Sequence, residues 1–106
     1  MKTYLPALTL GFLMLSASAG AEDQSITIQN YTFAPDKLTV VAGTKVTWVN
    51  HDQVPHTVVE KEKKFRSSAL DTNDSYSFTF TTPGVYQYFC TLHPTMTGTI
   101  TVAPGK

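Results

Sequence analysis

The chain lacks the residues that small exported domains use to staple themselves together. Cys90 is the single cysteine in 106 residues, so no intramolecular disulfide can form. Charge of one sign is missing as well: eight basic side chains stand against eight acidic ones. That balance leaves no broad basic field, and no nucleic-acid partner is expected. There are only three histidines, His51, His56 and His93. Long apolar runs are absent: Leu5–Leu15, broken by Pro6, Thr9 and Gly11, is short of the ~20 residues a membrane span needs. No internal repeat, low-complexity tract, linker or helical periodicity stands out.

The first 21 residues read as a secretory leader. Lys2 gives a positive start, the apolar stretch follows, and Ala17-Ser-Ala-Gly-Ala21 supplies small residues of the Ala-x-Ala kind. Cleavage is expected after Ala19 or Ala21, leaving residues 22–106 as one domain in the periplasm with no membrane anchor. About 85 residues suffice for one small core, but a core of that size commonly relies on an added staple. A lone cysteine in such a protein implies a partner thiol, a reactive thiol or a metal, and a bound metal would contribute folding free energy as well as function.

The remainder is patterned for strands. Ser25–Gln29, Thr44–Asn50 and Ser75–Thr81 alternate polar and apolar residues. Leu38–Val41 is a short β-branched run, and His56–Glu60, Val85–Cys90 and Thr97–Val102 complete the set. Gly, Pro, Asn and Asp punctuate them, the pattern of an all-β sandwich or barrel. Period two places Val46, Trp48, Tyr76, Phe78, Phe80, Ile100 and Val102 on inward faces, with the intervening Ser and Thr residues outward. Tyr86, Tyr88 and Cys90 share one face of their strand, and Phe89 on the other is a candidate exposed aromatic. Glu60-Lys-Glu-Lys-Lys-Phe-Arg66 reads as a solvated loop or an edge strand guarded by lysines.

The chemistry gathers in one loop, Cys90-Thr-Leu-His93-Pro-Thr-Met96. A thiol, an imidazole and a thioether recur there at three-residue intervals. Once the leader is gone, Met96 is the only methionine. Soft sulfur donors with imidazole suit copper, and two His, one Cys and a weak axial Met form the blue-copper electron-transfer set. The fourth donor must come from elsewhere. His56 is the candidate, stiffened by Pro55. His51, beside Asp52 in a polar loop, competes but reads as a surface histidine. Zinc fits His2Cys, but a positioned Met adds little for it.

These residues resemble the cupredoxins, most closely the amicyanin- and plastocyanin-like type 1 copper proteins. The likeness runs through Tyr31-Thr-Phe-Ala-Pro35, Val40–Asn50, Pro55-His-Thr-Val58, Gly84–Cys90 and Met96–Val102, and the Cys-x2-His-x2-Met spacing is similar to that of amicyanins. The resemblance implies a Greek-key β-sandwich of two sheets and about seven to eight strands, with one mononuclear type 1 copper at one end. It implies His56, Cys90 and His93 as equatorial ligands, Met96 as the axial one, and Asn50 bracing the ligand loops. It gives no guide to the structure of residues 60–73.

No general base, nucleophile or open substrate position accompanies this donor set, so an electron carrier and not an enzyme is expected. Its partners would be transient redox proteins meeting a monomer, with His93 as the exit and Leu92, Pro94 and Phe89 as docking residues. Two other classes use the same residues differently. A copper delivery, storage or sensing protein would exchange metal readily, though no Met-rich or His-rich tract supports it. A metal-free adhesion sandwich would leave Cys90 free to titrate.

Overall fold

Alternating side chains become eight strands and no helix among the described residues, 22–105, of the computed structural model. The expected leader lies outside them. In chain order the strands are β1 (Gln24–Gln29), β2 (Thr32–Ala34), β3 (Lys37–Val41), β4 (Thr44–Asn50), β5 (Val59–Glu60), β6 (Ser75–Phe80), β7 (Gly84–Cys90) and β8 (His93–Ala103). They form two four-stranded sheets, ordered β2-β1-β4-β6 and β3-β8-β7-β5. The pairs β1/β4 and β3/β8 are parallel and the rest antiparallel. Each parallel pair requires a crossover, and the chain supplies both by leaving the first sheet for β3 and returning for β4. This is the expected all-β sandwich.

Period two decides the core. Ile26 and Ile28 of β1, Val46 and Trp48 of β4, Phe80 of β6, Tyr86, Tyr88 and Cys90 of β7, and Ile100 and Val102 of β8 are buried. Tyr76 and Phe78 are half-buried against them. On the wet face of β4 and β6, Thr47 and Ser77 are directly paired, and their hydroxyls meet at 2.7 Å. Trp48 is the centre of the aromatic packing, with Tyr88 edge-on at 5.3 Å and Phe65 tilted at 5.7 Å between ring centroids. Edge-to-face geometry of this kind stabilises beyond area burial. Burial also pushes the Tyr88 phenol up to about 12, so it stays neutral in the core.

Four expectations need correction. The Cys90–Met96 segment is not an open loop. A tight turn at Thr91 and Leu92 returns the chain at once, and β8 begins at His93, paired with Cys90. Phe89 pairs with Thr97, so Pro94, Thr95 and Met96 have no partner on β7 and form a bulge. Extra residues on one strand re-aim side chains, and Met96 is turned inward to 5 % exposure.

His56–Glu60 is a ladder strand only over Val59 and Glu60, because the Val58 amide donates to the Ser67 hydroxyl instead of a carbonyl. The segment after it folds back through isolated pairings of Val59 with Arg66 and His56 with Leu70. The Glu60–Arg66 cluster is thus not wholly solvated. Phe65 is in the core, and the Glu60 carboxylate is buried, accepting the amides of Glu62 and Lys64. Lastly, Phe89 is half-buried, not exposed. It is paired with Val59 of β5 and lines a shallow cavity with Lys61, Pro94 and Thr97.

Gly98 carries a packing requirement. It lies opposite Tyr88, and a Cβ there would collide with that ring. Gly98→Ala is expected to destabilise the fold by about 1–3 kcal/mol through overpacking, read from the urea unfolding midpoint. An unchanged midpoint would mean that the Tyr88 ring has room to move.

Candidate metal centre

Three donor side chains from separate stretches converge at one end of the sandwich. Cys90 closes β7, His93 opens β8, and His56 comes from the β4–β5 connection. Their candidate ligand atoms all lie within 4.8 Å of one another. Cys90 Sγ is 3.7 Å from Nδ1 of His56 and 3.6 Å from Nδ1 of His93. His56 and Cys90 are fully buried and His93 is half-buried, so the group reaches solvent only on the His93 side. The donors are two imidazole nitrogens and a sulfur, and imidazole with soft thiolate is the combination that suits copper. Among the described residues, Met96 is the only methionine. It is buried and lines a cavity with Tyr31 and Phe33.

His51 is exposed and belongs to no such group. Only its backbone is engaged, donating to the carbonyl of Ile28. The local chain explains the difference. His56 exchanges backbone hydrogen bonds with Leu70, at 3.1 and 2.7 Å, which turns its ring inward. Pro55 is exposed beside it.

Asn50, the residue that the resemblance implies as a brace, is hydrogen-bonded at both ends of its amide. It is fully buried at the end of β4. Its Nδ2 donates to the carbonyls of Val54 and Leu70 at 2.9 and 2.8 Å, and its Oδ1 accepts the Asp52 amide at 2.9 Å. One side chain therefore ties the chain just before His56 to the segment that pairs with His56.

Three further residues surround the donors. The Thr57 amide donates to Cys90 Sγ at 3.3 Å, and the Thr57 hydroxyl accepts the Thr91 amide at 2.7 Å. These contacts join the stretch just after His56 to the end of β7 and its turn. Asp52 meets Nε2 of His56 at 2.8 Å. The Tyr31 ring stands edge-on to both imidazoles, at 5.4 Å from His56 and 4.8 Å from His93. An acidic residue four before a candidate ligand was a readable signal for Asp52. Nothing in the sequence placed Tyr31 or the Thr57 amide, because both depend on long-range contacts.

Burial works against ionisation of Asp52, but the amides of Tyr31 and Asn30 and the His56 ring outweigh it and hold its carboxyl below the ordinary 3.8. Its contribution to stability is therefore complete above that value and is lost as pH falls through the lowered native one.

A profile described as a Cupredoxin-like domain matches residues 3–102. The chain belongs to the cupredoxin-like family. Within it, the chain is 36 % identical over 101 residues to amicyanin-alpha of Methylorubrum extorquens, covering 91 % of this chain and 85 % of that protein. It superposes with a TM-score of 0.71 on a purple cupredoxin from Nitrosopumilus maritimus, at 34 % identity over 74 % of this chain and 98 % of that one. A mutant of amicyanin in its Cu(I) form also gives a TM-score of 0.71, at 31 % identity over 81 % of this chain and 85 % of that one. The resemblance seen in the sequence is borne out.

Asn50→Ala would leave the half-buried Val54 carbonyl and the Asp52 amide without this partner, and would remove one of the two donors on the buried Leu70 carbonyl. It is expected to cost on the order of 2–4 kcal/mol, at about 1–3 kcal/mol for each unsatisfied buried group offset by relaxation, measured by thermal unfolding of the metal-free protein. A cost within 0.5 kcal/mol, the range of a neutral surface change, would mean that the brace is dispensable.

Proposed function

We propose that this protein is a periplasmic blue-copper electron carrier holding one mononuclear type 1 copper, with His56, Cys90 and His93 as equatorial ligands and Met96 as the weak axial one. The observation that carries the reading is the convergence of two imidazole nitrogens and one sulfur within 4.8 Å, with the sole methionine of the described residues buried on the same hairpin. Copper bound there would cycle between Cu(II) and Cu(I), one electron at a time.

The protein's own contribution is to hold the donors still. His56 is fixed by its pairing with Leu70 and by the Asn50 brace, Cys90 by the Thr57 amide, and His93 by its position as the first residue after a tight turn. The likeness to amicyanin-alpha supports a carrier over an enzyme. Redox encounters use small, weak interfaces. Leu92 is half exposed and Pro94 exposed, either side of His93, with Phe89 half-buried on the same hairpin. Together they form a docking rim for transient redox partners meeting a monomer. Residues 1–21 act as the export leader, removed after Ala19 or Ala21, and residues 22–106 work as a single unanchored domain.

The visible spectrum with added Cu(II) tests the reading. Wild type and His51→Ala should turn intensely blue, whereas Cys90→Ser should not, because the colour needs a thiolate on Cu(II). A Cys90→Ser protein that keeps the colour would remove Cys90 from the ligand set. Met96→Gln should keep copper but lower its potential, since a harder oxygen donor favours Cu(II) over Cu(I). Voltammetry giving an unchanged or raised potential would remove Met96 instead.

A further inference from the structure

One carboxylate serves three donors beside the metal centre. Oδ1 of Asp52 accepts the Asn30 amide at 2.6 Å, and Oδ2 accepts both the Tyr31 amide at 2.9 Å and Nε2 of His56 at 2.8 Å. The residue itself is held from both sides. Its amide donates to Asn50, and its carbonyl accepts the Thr72 hydroxyl at 2.6 Å. Its side chain is 11 % exposed. The carboxylate is therefore a fixed, nearly enclosed acceptor.

Two consequences follow. An ionised carboxylate is acceptor-only, so a neutral His56 ring facing it at 2.8 Å carries its proton on Nε2. Its Nδ1 is then a bare lone pair, and that is the atom facing Cys90. The second consequence lies on the β1–β2 turn. Asn30 and Tyr31 are successive non-glycine residues in the left-handed region, at φ of 56° and 60°, a conformation that costs roughly 1–2 kcal/mol per residue. The two-residue hairpin calls for that conformation, and the hydrogen bonds from both amides to Asp52 add to it. That turn carries the Tyr31 ring across both imidazoles.

We propose that Asp52 is a positioning residue of the metal centre, fixing the tautomer and basicity of His56 while clamping Tyr31 over the ligand rings. This rests on the copper reading above. A carboxylate partner makes a ligand imidazole more electron-donating. It therefore stabilises Cu(II) relative to Cu(I) and lowers the potential.

Asp52→Asn is the informative change. An amide has one acceptor oxygen. If that oxygen stays with Asn30, the NH2 group faces His56 and favours the proton on Nδ1, the tautomer that cannot bind metal. If the amide flips, the Asn30 amide loses its partner. Cu(II) affinity should fall about 10- to 100-fold, the usual cost of losing such a partner. If only the tenfold loss is specific to Cu(II), the potential rises by about 59 mV.

To separate this from simple clamping of the turn, the change is repeated on Asn30→Gly, in which glycine adopts the left-handed conformation without strain. The potential should still rise there if Asp52 acts through His56. The tautomer is read independently by nitrogen NMR of metal-free wild type at alkaline pH, where His56 should carry its proton on Nε2. A wild-type His56 protonated on Nδ1 overturns the proposal whatever the variants do, as does an unchanged potential in the Asn30→Gly background. If wild type binds no copper, the functional reading fails, while the NMR result still decides the tautomer.

Discussion

The metal centre depends on a buried amide at the end of a strand. Asn50 is the last residue of β4 and is fully buried. A carboxamide in that position costs free energy unless it is hydrogen-bonded, and here both of its ends are. Its partners, Val54, Leu70 and Asp52, belong to the two irregular segments on either side of His56. The sheet is rigid because its core face is packed around Trp48. Through Asn50 that rigidity extends into a region with almost no ladder of its own. Without it, His56 would sit on a long connection joined to the second sheet mainly through the two residues of β5.

The second anchor is the β7–β8 hairpin, where covalent economy replaces hydrogen bonding. Cys90 and His93 are a register pair across a two-residue turn. Their side chains are thus fixed by the sheet itself, one buried and one half-buried. The bulge at Pro94–Met96 then returns the thioether to the interior. The short loop and the ladder together leave few conformations for the donors to explore. For a carrier this matters more than affinity, since a site that does not rearrange between redox states loses little to reorganisation.

Much of this was legible from residue pattern. Strict alternation in Thr44–Asn50 and Ser75–Thr81 placed β4 and all of β6, overrunning the latter by Thr81, because one-sided burial is what a period of two records. The Cys90, His93 and Met96 spacing marked the candidate donors, and of these the structure groups Cys90 and His93 with His56. What escaped was set by tertiary contacts. β2 is three residues long and has no periodicity to read. Residues 60–73 carry charge outward, but they bury Phe65 and Leu70 by folding back on His56–Glu60, and neither apolar residue sits in a repeating pattern. The loop expected between Cys90 and Met96 became a hairpin because pairing with Cys90 continued one position past the point where alternation stops.

The two histidines also end up in unlike surroundings, a difference that sequence alone only suggested. His56 is enclosed, with a carboxylate on its outer nitrogen and backbone bonds to Leu70 on both sides. His93 is half-buried and borders solvent. The Tyr31 ring, itself half exposed, packs against it at right angles. Tyr31 and Leu92 are both half exposed beside His93. The inner imidazole thus meets only protein at its outer nitrogen, and the outer one is the imidazole that borders solvent. The turn that carries Tyr31 is held by the same carboxylate that engages the inner imidazole, so one side chain links the turn over the outer ring to the inner one.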